Sequence, residues 1–241
     1  MEKKVSKRGY GNYRPEKMVL SPEALVLEKG CSRELLYVLS GESPSPLPFG
    51  EILLGEGSSL SLTVVVLPGV SVDVPLKVYL SGQGADFKLG ALYLSSSAEK
   101  VSFSTDVRHL VGGCTSLQNV LGLAGGQSRI AFRGNILVAP DAQKTEAYQT
   151  NRNILLGEEA HVDTTPQLEI YADDVKCSHG ATIGALNEEE RFYMRSRGIP
   201  ENEAKVLQMI SFSAPALEGI SDEKAREALS GRIEEAIREM V

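Results

Sequence analysis

The sequence predicts a mainly β protein whose strands are followed by a small C-terminal α-helical region. Short apolar alternations fill the chain from Ala24 to Leu156 with no helix-period segment of any length between them. Glycine and serine punctuate those alternations throughout. After Gly184 the pattern changes to charged residues with apolar positions three and four apart.

Residues 1–20 read as a basic, solvated tail, with Lys3, Lys4, Lys7, Arg8 and Arg14 and little apolar periodicity. The strand-rich core covers 21–184. Its apolar stretches are Leu25 to Leu27, Leu35 to Leu39, Leu60 to Leu67, Val72 to Val74, Leu76 to Leu80, Phe87 to Leu89 and Leu92 to Leu94. They continue through Val101 to Phe103, Leu117 to Leu121, Ile130 to Phe132, Ile136 to Val138 and Ile154 to Leu156. Pro44, Pro46 and Pro48 mark an exposed loop. A sandwich accommodates such strands, and so does a coil of stacked rungs. Comparable apolar points at Phe87, His109, Ala131 and Ile154 recur every twenty-odd residues, about one rung of a parallel β-solenoid.

The helical region covers 185–241. Asn187-Glu-Glu-Glu190 is a capping box, and the helix it opens runs to a stop at Gly198. Pro200 starts a second helix with Ala204, Leu207, Ile210 and Ser211 along one face, and Pro215 interrupts it. Ser221 is expected to cap a third, whose apolar stripe is Ala225, Leu229, Ile233, Ala236, Ile237 and Met240. Such a stripe is ordinarily core. On a terminal helix outside a solenoid it has little to pack on, so Ala225, Leu229, Ile233 and Ile237 are also candidates for docking a partner protein.

At 241 residues the chain can bury a substantial core, and its net charge of -7 argues against general nucleic-acid binding. No apolar run approaches the roughly 18 residues that span a bilayer, and the opening residues lack the apolar core of a signal peptide, so no membrane partner and a cytoplasmic location are expected. Three cysteines, Cys31, Cys114 and Cys177, are an odd number without paired spacing, as in a chain with reduced thiols.

The chemistry concentrates in Glu169 to Gly184, which brings a thiol, an imidazole and several carboxylates into one short segment. Cys177 and His179 are two residues apart, so on an extended backbone both point to one face, less than about 7 Å apart. A thiolate and a neutral imidazole suit zinc, iron or an iron-sulfur unit, and an imidazolium nearby would favour the thiolate. The alternative is that Cys177 is a small buried apolar residue and His179 bonds to the turn before Gly180. Two ligands do not close a tetrahedral site, so a metal here would need water, Glu169 or Asp173, or a second chain. His161 with Asp163 and His179 is a weaker candidate for a hydrolytic zinc site, and His109 with Cys114 a looser pair. No phosphate-cradling loop and no nucleophile elbow occurs, so nucleotide hydrolysis would belong to a partner and no catalytic residue is expected.

From His109 through Phe212 the chain resembles the SufB/SufD family, the scaffold proteins of Suf iron-sulfur cluster assembly. The resemblance is carried by Gly134-Asn-Ile-Leu-Val138, Asp141 through Leu156, Pro166-Gln-Leu-Glu-Ile-Tyr-Ala-Asp-Asp-Val-Lys-Cys-Ser-His-Gly-Ala-Thr182 and Phe192-Tyr-Met-Arg-Ser-Arg-Gly198. It implies a right-handed parallel β-helix followed by a small helical region. It implies a non-enzymatic scaffold that gathers a transient, nascent iron-sulfur cluster at a subunit interface near Cys177 and His179. It also implies two partners: a SufC-type ATPase on the terminal helices, and a SufB-like protein or a second copy of this chain through the last β-helix strands. The chain resembles the SufD side, because Cys177-Ser-His179-Gly180 stands where that branch carries its interface histidine, whereas SufB-type members carry a cysteine at the position of Ile170.

Overall fold

The computed structural model describes residues 20–41 and 47–241; Met1 to Val19 of the basic tail, and Pro44 and Pro46, lie outside them. Twelve strands precede three helices: β1 Leu25–Leu27, β2 Ser32–Leu39, β3 Glu51–Leu54, β4 Ser59–Val66, β5 Val72–Leu80 and β6 Asp86–Ser95. They continue with β7 Lys100–His109, β8 Thr115–Ala124, β9 Arg129–Val138, β10 Glu146–Leu155, β11 His161–Ile170 and β12 Lys176–Gly184. The helices are α1 Glu188–Ser196, α2 Glu201–Ser213 and α3 Glu223–Glu239, with a 3-10 turn at Ala214–Leu217 between the last two.

Odd and even strands form two separate parallel sheets, in the orders β1-β3-β5-β7-β9-β11 and β2-β4-β6-β8-β10-β12. Each strand therefore pairs with the next but one, and the chain winds as a parallel β-solenoid of about five turns. The stacking interval is longer than the twenty-odd residues expected. Leu60 pairs with Phe87 and Phe87 with Ser116, steps of 27 and 29 residues. Phe87 and His109 do not even share a sheet, because each turn holds two strands and two corners rather than one.

One corner repeats a glycine in the left-handed region before β2, β4, β6 and β8: Gly30, Gly57, Gly84 and Gly113, with φ from 61° to 73°. On the fifth turn Lys144 takes that place at φ 61°, held by its amide on the Asp174 carbonyl at 2.7 Å.

The two sheets differ in what covers their outer faces, and the sequence reflects it. The odd strands alternate, as in Lys100–His109, because only the inward face is buried. Among the even strands, β4, β6 and β8 end in continuous apolar runs, such as Val64-Val65-Val66 and Ala91-Leu92-Tyr93-Leu94, because both faces are buried there. Their outward residues Val65, Leu92, Leu94, Leu121 and Leu123 join Val206, Met209, Leu217, Leu229, Ile233 and Ile237 in one cluster.

That arrangement corrects the reading of α3. Leu229, Ile233 and Ile237 are 3%, 3% and 0% exposed, and Ala225 packs beside them. Leu229, Ile233 and Ile237 each contribute about 2 kcal/mol by burial within their own chain and are not free for a partner. The cap of α3 also shifts by one residue: Asp222, not Ser221, accepts from the amides of Lys224 and Ala225. On α2 the buried residues are Ala204, Val206, Met209 and Ser213, while Leu207 is 40% exposed. The expected N-cap is present, with Asn187 accepting from the amides of Glu189 and Glu190, but the Glu190 carboxylate accepts from Gln208 Nε2 at 2.8 Å.

Two glycines make room where backbones or rings meet. A Cβ on Gly90 would stand 2.1 Å from the Ala216 carbonyl oxygen, so this glycine seats the 3-10 turn on the sheet. A Cβ on Gly122 would stand 1.9 Å from the Tyr93 ring. Gly122→Ala is therefore expected to cost about 3 kcal/mol. Urea denaturation should show this as a lower midpoint at unchanged slope.

Candidate functional site

The site is the last turn of the solenoid. In register across the even sheet, Leu60, Phe87, Ser116, Ala147 and Cys177 form one column, and Leu62, Leu89, Gln118, Gln149 and His179 the next. The four earlier members of each column are buried in the interior. Cys177 and His179 therefore both face inward, as their spacing predicts, but no further turn covers them among the described residues. Cys177 is half-buried and His179 exposed.

Ile170 stands at the end of the facing column, Leu80, His109, Val138 and Ile170. Two turns earlier His109 Nε2 and Ser116 Oγ lie 2.9 Å apart across the interior. Ile170 and Cys177, which occupy those same two columns, thus face each other across the open end. Ile170 and Ile183 are 41% and 45% exposed there.

Cys177 rests on small side chains, Ala139, Ala142, Ala147 and Ala172 among them. Burial pushes its thiol above the usual range, only partly offset by the Ala147 amide. The thiol is therefore protonated at neutral pH, and a bound metal would have to displace that proton.

The carboxylates do not join this pair. Glu169 lies on the outward face of β11, in register with Leu137, and accepts from the Tyr171 hydroxyl at 3.3 Å. His161 and Asp163 share that outward face, whereas His179 faces inward on the other sheet. Among the described residues no three of His, Cys, Asp and Glu converge. Neither Glu169, Asp173 nor the hydrolytic trio completes a site within one chain. His109 and Cys114 are not partnered either: the Cys114 thiol donates to the Gly82 carbonyl at 3.2 Å.

A family model described as SUF system FeS cluster assembly, SufBD core domain, matches residues 48–212. The iron-sulfur cluster assembly protein SufD of Escherichia coli K12 is 37% identical over 183 residues, which is 76% of this chain and 43% of that protein. The chain belongs to the SufBD family. A SufBD family protein of Synechocystis is 41% identical over 110 residues, 46% of this chain and 23% of its own length. SufD of Bacillus subtilis is 29% identical over 188 residues, 77% and 40% respectively. The chain thus spans less than half the length of these relatives. The matched core ends at Phe212, before α3, and includes every residue of the open turn.

Inside the SufBD core the lining changes character toward that turn. The early turns are apolar, with Leu60, Leu62 and Val64. The later ones hold an amide network that the apolar pattern did not reveal. Tyr93 donates to Asn153 Oδ1 at 2.6 Å, Asn153 to Asn151 Oδ1 at 2.7 Å, and Gln149 to Thr105 Oγ1 and Gln118 Oε1, each at 3.2 Å. The signal available in the sequence was the spacing of Gln149, Asn151 and Asn153, amides two apart on one strand face.

Buried His109 belongs to this interior, and desolvation pushes its imidazole down to about 4. In the unfolded chain it takes up its proton near pH 6.5. Between those values the unfolded state binds the additional proton. Stability from this group is therefore complete above pH 6.5 and declines by about 3 kcal/mol as pH falls to about 4. His109→Gln should flatten the pH dependence of unfolding by that amount in the same window, measured by denaturation at stepped pH.

Proposed function

We propose that this chain is a non-enzymatic scaffold for iron-sulfur cluster assembly, with Cys177 and His179 as donors to a nascent cluster built at a subunit interface. The observation that carries the reading is their position: on the last turn an inward-facing thiol and an inward-facing imidazole stand two residues apart on a strand whose far edge is unpaired among the described residues. Iron and sulfide are cargo in this account, and thiolate and imidazole are donors that suit them. Among the described residues no third His, Cys, Asp or Glu joins the pair, which supports assembly between chains.

Anaerobic reconstitution with ferrous iron and sulfide tests the donors. Cys177→Ala and His179→Ala should each lower cluster absorbance and bound iron at least severalfold relative to the unsubstituted chain. Unchanged loading in both variants removes them as donors.

We further propose that a SufC-type ATPase docks on α1 and α2 rather than on the stripe of α3. Phe192 and Tyr193 are 71% and 59% exposed, and Leu207 on α2 is 40% exposed. Tyr193 and Leu207 line a cleft of about 750 Å³ with Met194, Phe212 and Leu186. Exposed aromatic residues beside a cleft are the usual anchors of a protein interface. β12 ends at Gly184 and α1 begins at Glu188, so a partner moving these helices would act directly on the last strand. Capture of the ATPase should fall at least tenfold in Phe192→Ala/Tyr193→Ala, while Arg232→Ala on the exposed face of α3 leaves it unchanged. Equal capture by both variants would contradict this assignment.

A further inference from the structure

We infer that Gln149 is a positioning residue for His179: its side-chain oxygen accepts the Nε2–H of that imidazole, which fixes the tautomer and leaves Nδ1 to bind iron. The inference rests on the donor reading of His179 and adds the group that holds its ring.

Gln149 is 1% exposed, and its amide spans the interior of the solenoid. Its Nε2 donates to Thr105 Oγ1 on the facing sheet and to Gln118 Oε1 on the turn before, each at 3.2 Å. Gly134 on the facing strand makes room for it: a Cβ there would stand 2.3 Å from Gln149 Oε1 and 2.5 Å from Nε2. Both bonds from Nε2 run back toward β7 and β8. Oε1, on the other side of the amide carbon, is therefore directed toward the last turn, and there it is buried without a hydrogen-bond partner.

Two inward side chains stand at that level of the last turn: His179, in register with Gln149, and Pro166, in register with Gly134. Pro166 has no N–H to give. Cys177 stands one column away, over Ala147, and Thr164, whose hydroxyl is also unpartnered, one column along β11. His179 is thus the donor in register with the orphaned oxygen, and its ring makes no other hydrogen bond among the described residues.

A buried carbonyl oxygen without a donor bears the full cost of its desolvation, and an imidazole turned onto it removes that cost. Glutamine Oε1 and histidine Nε2 reach to nearly the same depth from the backbone. In-register strands about 4.8 Å apart therefore bring these two atoms together. A metal-ligating imidazole donates its other ring N–H to an acceptor of this kind, which sets the tautomer and the ring orientation. The two bonds that anchor the Gln149 amide pass that orientation to the ring.

Nitrogen-15 NMR of the metal-free full chain, at a pH where the ring is neutral, reads the bond directly. The expected result is a single His179 tautomer whose Nε2–H proton is protected from solvent exchange, assigned by its absence in His179→Ala. Gln149→Met, which has no comparable acceptor, should abolish the protected proton; Gln149→Glu should keep it, and Thr164→Val should leave it unchanged. In anaerobic reconstitution Gln149→Met should lower iron affinity about tenfold, yet have no effect in a His179→Ala background, because Gln149 acts through that ring. A freely exchanging ring with both tautomers in the unsubstituted folded chain overturns the inference, and the donor reading stands if His179→Ala still lowers loading. A loss in Gln149→Met that persists in the His179→Ala background makes Gln149 a packing residue and also overturns it. If the protected proton is present but His179→Ala loads iron as well as the unsubstituted chain, the donor reading fails and the positioning role fails with it.

Discussion

A parallel solenoid satisfies the backbone of each strand by pairing it with the turn before and the turn after, and the last turn has no turn after it. The proposed function follows from how that end is left. β11 and β12 keep full length to the edge, without the shortening or the inward charge found at β1 and β2. Their inward residues would be core anywhere else in the solenoid. Here they include a thiol, an imidazole and two exposed isoleucines.

The rest of the molecule supports that edge. Helices cover the second halves of β4, β6 and β8 and bury the outer face there, while Leu36 and Leu117 on the same face stay exposed. Gly90 lets the 3-10 turn approach the sheet closely. The amide network beneath the open turn replaces apolar packing with directional bonds whose desolvation is offset only when each partner is in place. Such a lining fixes the orientation of the columns that end in Cys177 and His179, at a cost in hydrophobic stabilisation.

Much of this was legible in the residues. The strand-to-helix order, the Asn187 cap and the shared face of Cys177 and His179 follow from local rules that tertiary structure did not override. The stacking interval was misjudged because inward positions alternate between two sheets, so like residues along the chain are not neighbours in space. β10 showed only its end at Ile154, since its inward residues are Ala147, Gln149, Asn151 and Asn153 rather than apolar ones. The α3 stripe was open between core and docking because nothing in a single helix says that a sheet's outer face is apolar. The doubled apolar runs of β4, β6 and β8 carried that information. Glu169 lost its place as a donor for the reason that placed His179 beside Cys177: strand residues alternate between faces.

The central claim is that iron meets sulfur and nitrogen at the uncovered end of this solenoid. X-ray absorption at the iron edge of the anaerobically loaded chain tests it most directly. The account predicts both sulfur and imidazole nitrogen bound to iron, with the nitrogen contribution lost in His179→Ala and thiolate sulfur reduced in Cys177→Ala. Iron surrounded by oxygen alone, or a spectrum identical in all three proteins, would contradict it.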